Sequence, residues 1–281
     1  MIKIKDLQKR YKDFELNISL EVPEGTVTGL IGKNGAGKST TIKSILGLIR
    51  PNSGEISVMG KEPQSFTPED KEAIGAALSD SGFSMVLTIE DVVSILKSFY
   101  RNFNEPEFRN RCKDQGLPFD KPIKEFSSGM KAKLRVLTAI SHSAKLLVLD
   151  EPTAGLDVLA RNDVLDLLRS YMEEDSSRSI LISSHISSDL EGLCDDIYMI
   201  DKGQIILHED TDTILGKYGI LKLSEEEYAA MDRQYVIAEK RDRFSVTCLT
   251  SEKQFYLENY PNIVVENSSI DDMIVLILGG K

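Results

Sequence analysis

The stretch GKNGAGKST, which begins at Gly32, carries the clearest chemical signal in the chain. Its pattern, GxxxxGK[ST], places Gly32, Gly35 and Gly37 where a backbone turns tightly and aims its N–H groups at phosphate oxygens. A helix that starts at the end of such a loop adds a positive partial charge. Lys38 would then reach the β- and γ-phosphates, and the Ser39 hydroxyl would ligate Mg²⁺. The motif predicts a site for a nucleoside triphosphate.

A second stretch, LVLDEPTAGLD, runs an apolar segment directly into two adjacent carboxylates, Asp150 and Glu151. Pro152 follows and ends the strand, because proline has no backbone N–H to donate. Neighbouring side chains on an extended backbone point in opposite directions, so the two carboxylates are aimed differently. One is suited to a metal ion and the other to activating water.

Apolar periodicity predicts the elements that position these motifs. FELNISLEV, residues 14–22, alternates like a half-buried antiparallel strand. TVTGLIG predicts a buried strand that enters the glycine-rich loop, and KSTTIKSILGLI predicts the helix after it. KLLVLD, SILISSH and IYMI predict further strands, separated by helices near 161–172 and 186–193. This alternation indicates a parallel sheet flanked by helices.

Two segments differ in character from that sheet. Between Thr88 and about Phe126 the pattern is helical, with Thr88 as a predicted N-cap, so we expect a helical insert. From about residue 216 a polar stretch is followed by the β-like runs YVIAE, FSVTCLT and NIVVE and by a terminal helix in SIDDMIVLIL. We therefore expect a small appended α+β unit.

Composition excludes several function classes. The formal net charge of -11 argues against a nucleic-acid surface, which requires a basic stripe. Three widely spaced cysteines without CxxC spacing predict neither a zinc site nor a disulfide framework. The N-terminus has no apolar leader region, and the apolar runs are shorter than the roughly 20 residues that span a bilayer. If the protein works at a membrane, we expect another chain to supply the span.

The glycine-rich loop by itself leaves the enzyme class open. A GTPase would need an NKxD segment that reads guanine, and the sequence contains none. A small-molecule kinase stays possible on this motif alone.

Three further segments narrow the choice. FSSGMKAKL (126–134) resembles the signature segment of ATP-binding cassette (ABC) ATPases, and KLLVLDEPTAGLD resembles that family's Walker B strand and D-loop. LISSHISSDLEGLCDDIYMIDKGQI resembles its switch-histidine segment, with the histidine at His185. All occur in the family's order over roughly residues 1–215. The chain thus resembles ABC transporter ATP-binding proteins, in particular bacterial exporter-type subunits of the drug- and antimicrobial-peptide kind.

The resemblance implies an α/β fold of the P-loop NTPase class. An ABC-type nucleotide-binding domain has a mixed sheet with flanking helices, an antiparallel β subdomain and a helical subdomain. We expect this ATPase domain at residues 1–215, with the helical subdomain at about 79–126. A small C-terminal accessory α+β domain would span 216–281.

The resemblance also implies roles for single residues. Catalysis falls to Glu151 as general base, to His185 near the γ-phosphate or the attacking water, and to Lys38. Mg²⁺ would be held by Ser39 and Asp150. The expected ATP contacts are an adenine-stacking Tyr11 and the loop residues Gly32, Asn34, Gly35, Ala36, Gly37, Lys38, Ser39 and Thr40.

The sequence departs from the family pattern at one metal ligand. The family normally places a glutamine between the glycine-rich loop and the signature, and here Ser79 stands at that position. Ser79 or the neighbouring Asp80 would ligate Mg²⁺ or a bridging water, or this coupling is weakened. In the signature, Ser128 stands where glycine is common and Met130 replaces glutamine.

The signature segment implies a second copy of the site. In this family it binds the γ-phosphate of ATP held by the opposite subunit, so Ser127, Ser128, Gly129 and Asp157 would act across a dimer. The partner would be a second copy of this chain or a related ATPase subunit.

The leading hypothesis is an ATP-hydrolysing subunit that powers transport, with export favoured, through a separate transmembrane permease. It would lie in the cytoplasm, peripheral on the inner face of the cell membrane. Phe83, Met85, Phe99 and Phe103 would line a groove for the permease or simply pack in the helical insert. The alternatives are a non-transport ABC ATPase and a weakly active regulatory nucleotide-binding partner in a heteromeric complex.

Overall fold

The computed structural model describes residues 1–80, 82–186, 188–243 and 245–279. The chain forms two compact units. The first contains Met1–His185 and Tyr198–Ile206, and the second contains Ile186–Ile197 and the residues from Leu207 onward. No helix in the described ranges is long and apolar enough to cross a membrane.

Nine of the described strands lie within residues 1–210, and helices separate most of them from β3 to β8. They are β1 (Ile2–Arg10), β2 (Glu15–Val22), β3 (Val27–Ile31), β4 (Ser53–Val58), β5 (Ile74–Ala77), β6 (Leu146–Asp150), β7 (Ser179–Ser184), β8 (Asp196–Asp201) and β9 (Gln204–Asp210). Six of the described strands form one sheet in the order β5-β6-β7-β3-β8-β9. The pairs β5–β6, β6–β7 and β3–β7 are parallel, as predicted. Strands β3, β6 and β7 are buried along their whole length, because helices cover both faces of a parallel sheet.

A separate antiparallel sheet has the order β2-β1-β4. The predicted alternation of β2 is confirmed, since its residues are exposed and buried in turn. Strand β1 was not predicted from the sequence. Its alternation breaks at a bulge between Ile4 and Leu7, where Asp6 has a positive φ of 49°. A bulge inserts an extra residue and shifts the period of two on which the prediction depends.

The described residues also contain helices in both units. They are α1 (Lys38–Ile45), α2 (Pro68–Glu72), α3 (Ile89–Phe99), α4 (Glu105–Asp114), α5 (Ser128–Ile140), α6 (Val158–Glu173), α7 (Ser188–Glu191), α8 (Thr211–Lys217), α9 (Glu225–Ala230), α10 (Lys253–Asn259) and α11 (Ile270–Gly279). The predicted cap of α3 is confirmed: Thr88 and Asp91 form a reciprocal capping box. Helix α6 begins earlier than predicted because Asp157 caps it.

The second unit contains a four-stranded antiparallel sheet in the order β11-β12-β10-β13. Its strands are β10 (Gly219–Leu223), β11 (Val236–Arg241), β12 (Val246–Thr250) and β13 (Val264–Asn267). The chain order β10-α9-β11-β12-α10-β13 is a split β-α-β arrangement. Strand β10 and helix α10 were not predicted, and helix α9 lies in a stretch that the sequence suggested only as polar. The α+β character predicted for the C-terminal segment is confirmed.

Candidate active site

The glycine-rich loop joins β3 to α1, and its glycines are required by geometry. Gly35 and Gly37 have φ angles of 81° and 119°, which residues with a Cβ rarely adopt. A Cβ on Gly32 would lie 2.2 Å from the Ile200 carbonyl oxygen, and one on Gly37 would lie 2.8 Å from a methyl group of Leu16. Close packing therefore requires glycine at 32 and 37, and the backbone conformation favours it at 35 and 37. The loop leads directly into the N-terminus of α1.

Lys38 folds back over this loop. Its Nζ donates to the carbonyl oxygens of Gly32 at 2.6 Å and Lys33 at 3.3 Å. The same atom lies 3.0 Å from Oε1 of Glu151, and the Lys38 side chain is only 5% exposed. A buried ammonium needs a compensating negative charge. Here Glu151 supplies it, at the place where phosphate oxygens would arrive.

Asp150 ends β6 and is 1% exposed. One carboxylate oxygen accepts a hydrogen bond from Ser183 Oγ at 2.7 Å, and the other accepts one from Ser79 Oγ at 3.0 Å. Ser183 belongs to β7, the parallel neighbour of β6 in the sheet. Two hydroxyl donors thus stabilise a carboxylate that is almost completely removed from water.

Glu151 turns away from Asp150 because its backbone leaves the strand conformation. Its φ is 53°, in the left-handed region, and its N–H donates to Ser183 Oγ at 3.1 Å. The carboxylate lies between Lys38 and Nδ1 of His185, which it contacts through Oε2. His185 follows β7 directly. The structure therefore brings together the three residues predicted to be catalytic.

A cavity of about 790 Å³ opens over the loop. Tyr11, 47% exposed, lies on its wall beside Phe14, with ring centroids 6.3 Å apart. The predicted residues that line the cavity are Tyr11, Asn34, Gly35, Gly37, Lys38, Ser39, Thr40, Ser79, Glu151 and His185. Gly32 and Ala36 are buried parts of the same loop, and Asp150 lies behind Ser79. A cavity lined by both aromatic rings and a glycine-rich loop suits a nucleotide.

The structure separates the two candidates for the position of the missing glutamine. Ser79 lines the cavity and donates to Asp150, whereas the Asp80 carboxylate pairs with Lys43 of α1 at 2.5 Å. The Lys43 ammonium lowers the pKa of Asp80. Ser39, Ser79 and Asp150 form a set of hard oxygen donors, which fits Mg²⁺. The Asp80 carboxylate instead forms an ion pair with Lys43.

The residues predicted to act across a dimer do not line this cavity. Ser127 caps α5 and its Oγ accepts from the Met130 amide at 3.1 Å, and Ser128 lines a second cavity. Gly129 packs so closely on α6 that a Cβ there would lie 2.8 Å from Cβ of Ala160. Asp157 caps α6. Within one chain these residues therefore lie outside the cavity over the glycine-rich loop.

Sequence reasoning missed four residues around the site. Asp13, Phe14 and Ala154 line the cavity, and Ser183 bonds to Asp150. Phe14 carried a signal, as an aromatic residue near Tyr11. Ser183 carried none, because a serine in a strand is uninformative until the neighbouring strand is known.

Comparison with known proteins gives consistent matches. The family model described as "ABC transporter" matches residues 16–154. The lantibiotic transport ATP-binding protein of Streptococcus pyogenes is 36% identical over 216 residues, which cover 75% of this chain and 92% of that protein. The bacitracin transport ATP-binding protein of Bacillus licheniformis is 34% identical over 210 residues, covering 73% of this chain and 68% of that protein.

Solved structures give the same result for the fold. One described as the ATP-binding subunit of an ABC transporter superposes with a TM-score of 0.67 at 28% identity, covering 76% of this chain and 91% of that one. The ATP-binding cassette MJ0796, described as dimeric and bound to ADP and Pi, has a TM-score of 0.66 at 22% identity, covering 75% and 99%. The predicted fold class is confirmed.

Proposed function

This chain belongs to the ABC transporter family of ATP-binding proteins, and on that premise we propose that it binds ATP with Mg²⁺ and hydrolyses it. The observation that carries the proposal is the position of Glu151, held between Lys38 and His185 at the wall of the phosphate-loop cavity. The geometry offers a phosphate cradle and a carboxylate base within reach of the same space.

Nucleotide binding would proceed by exchange of partners at Lys38. The triphosphate docks on the loop amides and the α1 N-terminus, and its β- and γ-oxygens replace Glu151 as the acceptors for the Lys38 ammonium. Tyr11 stacks on the base. This exchange releases the Glu151 carboxylate from its ion pair at the moment that substrate arrives.

Hydrolysis would then use the released carboxylate. Glu151 accepts a proton from a water molecule aligned with the γ-phosphate, and His185 orients that water or the phosphate. Lys38 and the loop amides stabilise negative charge on the transferred and leaving oxygens. Ser39, Asp150 and Ser79 would hold Mg²⁺, which when bound neutralises part of the same charge.

Glu151→Gln tests the assignment of the base. We expect ATP turnover to fall by about 10²- to 10⁴-fold, the range for loss of a general base. ATP binding should not weaken, since Lys38 no longer has to leave a carboxylate partner. Glu55→Gln, an exposed glutamate on β4, is the control and should turn over ATP normally. Turnover by Glu151→Gln within threefold of the unaltered protein would refute the role.

We also propose that the complete site forms between two subunits. Ser127, Gly129 and Asp157 lie at the N-termini of α5 and α6, away from the chain's own cavity, and would complete the site of a facing subunit. ATP with the Glu151→Gln variant should therefore produce a dimer, measurable by light scattering. Ser127→Glu should prevent that dimer while leaving ATP binding to the monomer intact.

The transport role is proposed from the relatives, whose names describe transport of lantibiotics and bacitracin. We propose that this chain powers export of a related class of antimicrobial compound through a separate permease, on the cytoplasmic face of the membrane. Phe99 and Met85 are 74% and 52% exposed on the helical insert and would contact that permease. Phe103 instead packs on Phe108, with ring centroids 5.5 Å apart. Residues 216–281 would form an accessory domain.

One observation favours a second candidate, a weakly active regulatory partner in a heteromeric complex. The Ser79 side chain is shorter than that of the glutamine which the family places at this position, so it reaches less far toward the proposed Mg²⁺. The Ser79 hydroxyl also already donates to Asp150. Ser79→Gln discriminates the two: a large increase in Mg²⁺-dependent turnover would indicate that the natural site is attenuated, and no increase would favour a fully active ATPase.

A further inference from the structure

Ser79 lies two residues beyond the end of the edge strand β5, outside the regular structure of the sheet. Strand β5 ends at Ala77, and Leu78 is the last buried residue before the cavity. The Ser79 hydroxyl nevertheless points at Asp150, at 3.0 Å. A short side chain makes such a bond only if its own backbone is held in position, so the position of Leu78 and Ser79 needs a cause.

Arg135 on α5 contacts this segment. Its Nη1 donates to the carbonyl oxygen of Leu78 at 3.3 Å. The Leu78 carbonyl and the Ser79 amide belong to one planar peptide unit, so holding that oxygen restricts the orientation of Ser79. The contact joins residues 57 positions apart in the sequence.

Arg135 differs from two cations near it in the helical insert and α5. Lys133, two positions earlier, pairs with Asp163 at 2.5 Å, and Arg109 pairs with Glu90 and Glu105. Arg135 has no carboxylate partner among the described residues, and burial lowers its pKa. It lines a cavity of about 280 Å³ whose other walls are largely apolar. Keeping a half-buried guanidinium without a counter-charge is costly.

We propose that Arg135 is a positioning residue for the metal site. It holds the Leu78 carbonyl and thereby keeps the Ser79 hydroxyl directed at Asp150, next to the place where Mg²⁺ would bind. The inference rests on the proposed ATP site, and it concerns how this chain compensates for a short side chain at position 79.

The proposal also links the two halves of the composite site. Helix α5 begins at Ser128, next to its cap Ser127, and carries Arg135 two turns later, about 10 Å along the axis. One continuous helix thus carries both the end capped by Ser127 and Arg135. A shift of α5 on contact with a facing subunit would therefore be transmitted to Ser79 through Arg135.

The test measures metal affinity rather than turnover alone. Mn²⁺ serves as the probe for Mg²⁺, and its binding is followed by loss of the free-ion paramagnetic resonance signal with a non-hydrolysable ATP analogue present. Arg135→Met keeps an unbranched apolar side chain and removes the donor, and we expect Mn²⁺ affinity to fall by about 3- to 10-fold, as for one lost hydrogen bond. Arg135→Lys keeps a hydrogen-bond donor at this position and should recover part of the lost Mn²⁺ affinity. Metal-free ATP binding, measured with EDTA, should not change.

Two comparisons make the test specific. Lys124→Met removes an exposed cation that lies outside the signature segment and has no bond to Leu78, and it should leave Mn²⁺ affinity unchanged. Ser79→Ala should lower Mn²⁺ affinity as Arg135→Met does, and the double variant should be no weaker than either, because both act through one hydroxyl.

Three results would overturn the proposal: unchanged Mn²⁺ affinity in Arg135→Met, equal weakening of metal-free ATP binding, or full additivity with Ser79→Ala. Failure of the unaltered protein to bind ATP at all would instead overturn the proposed function, and this inference with it. The two failures are therefore distinguishable.

Discussion

Ser183 offers the sharpest test of how the site is held together. Its hydroxyl donates to the Asp150 carboxylate at 2.7 Å, inside a sheet from which water is excluded. A hydrogen bond to a charged group contributes about 1.5–3 kcal/mol, and its loss leaves Asp150 with Ser79 as its remaining hydroxyl donor among the described residues. The Glu151 amide keeps a second acceptor, the Ser183 carbonyl at 3.2 Å, so its contribution to the loss is small. We expect Ser183→Ala to lower the free energy of unfolding by about 2 kcal/mol.

Differential scanning calorimetry is the appropriate assay. For a domain of this size, about 2 kcal/mol corresponds to a fall in Tm of about 4–8 °C. Ser44→Ala is the matched control, because Ser44 is equally buried but donates only to the neutral Thr40 carbonyl of its own helix, at 2.8 Å. Ser44→Ala should lower the free energy of unfolding by less than about 1 kcal/mol, because alanine is also the better helix former.

Ser183 and Ser44 are both fully buried, but only Ser183 donates to a charged group, so the difference between the two variants measures the effect of the Asp150 charge. Equal changes in Tm for the two variants would refute the reasoning, because they would show that the charge on Asp150 adds nothing to its bond with Ser183. An unchanged Tm for Ser183→Ala would likewise show that Asp150 is satisfied without Ser183.

Three other outcomes are expected. Burial lowers the pKa of His142 below its ordinary value of 6.5, so the unfolded chain binds more protons than the folded one as pH falls through 6.5, and stability is lost there. His142→Phe should remove this loss, which would appear as a smaller difference between the Tm at about pH 7.5 and the Tm at about pH 5.5. An unchanged difference would contradict the assignment to His142. Tyr11→Ala should weaken ATP binding by about 5- to 150-fold while Tyr11→Phe leaves it unchanged, because base stacking contributes about 1–3 kcal/mol; equal effects in a fluorescence titration would rule out stacking. Phe99→Asp should leave Tm almost unchanged, since the Phe99 side chain is 74% exposed. The same variant should no longer be recovered with membranes that contain its permease. A large fall in Tm would assign Phe99 to the core instead.

Much of the fold was predictable because its signals are local. The alternation of β2, the run of apolar residues in β6 and the Thr88 cap are each contained in a few consecutive residues. The elements that escaped prediction have weak or interrupted local signals. Strand β1 is broken by a bulge at Asp6, and β10 is a single short segment of five residues.

The candidate site divides in the same way. The loop glycines, Lys38, Asp150 and Glu151 were identified because spacing along the chain defines their chemistry. The choice between Ser79 and Asp80 could not be made from the sequence. It depends on tertiary contacts: Lys43 of α1 pairs with the Asp80 carboxylate, whereas the Ser79 hydroxyl donates to Asp150.

The sequence by itself determined which chemical groups this protein brings to a nucleotide, because a phosphate loop and a strand ending in two carboxylates are encoded in consecutive residues. Only the tertiary structure decided how those groups are held. Ser183 reaches Asp150 across 33 positions and Arg135 reaches Leu78 across 57, and Lys38 at the start of α1 meets Glu151, which follows β6. Such contacts follow from the order of strands in the sheet and from the packing of α5 near its edge. Local periodicity specifies neither the strand order nor this packing, because it indicates which face of an element is buried but not which neighbouring element covers that face.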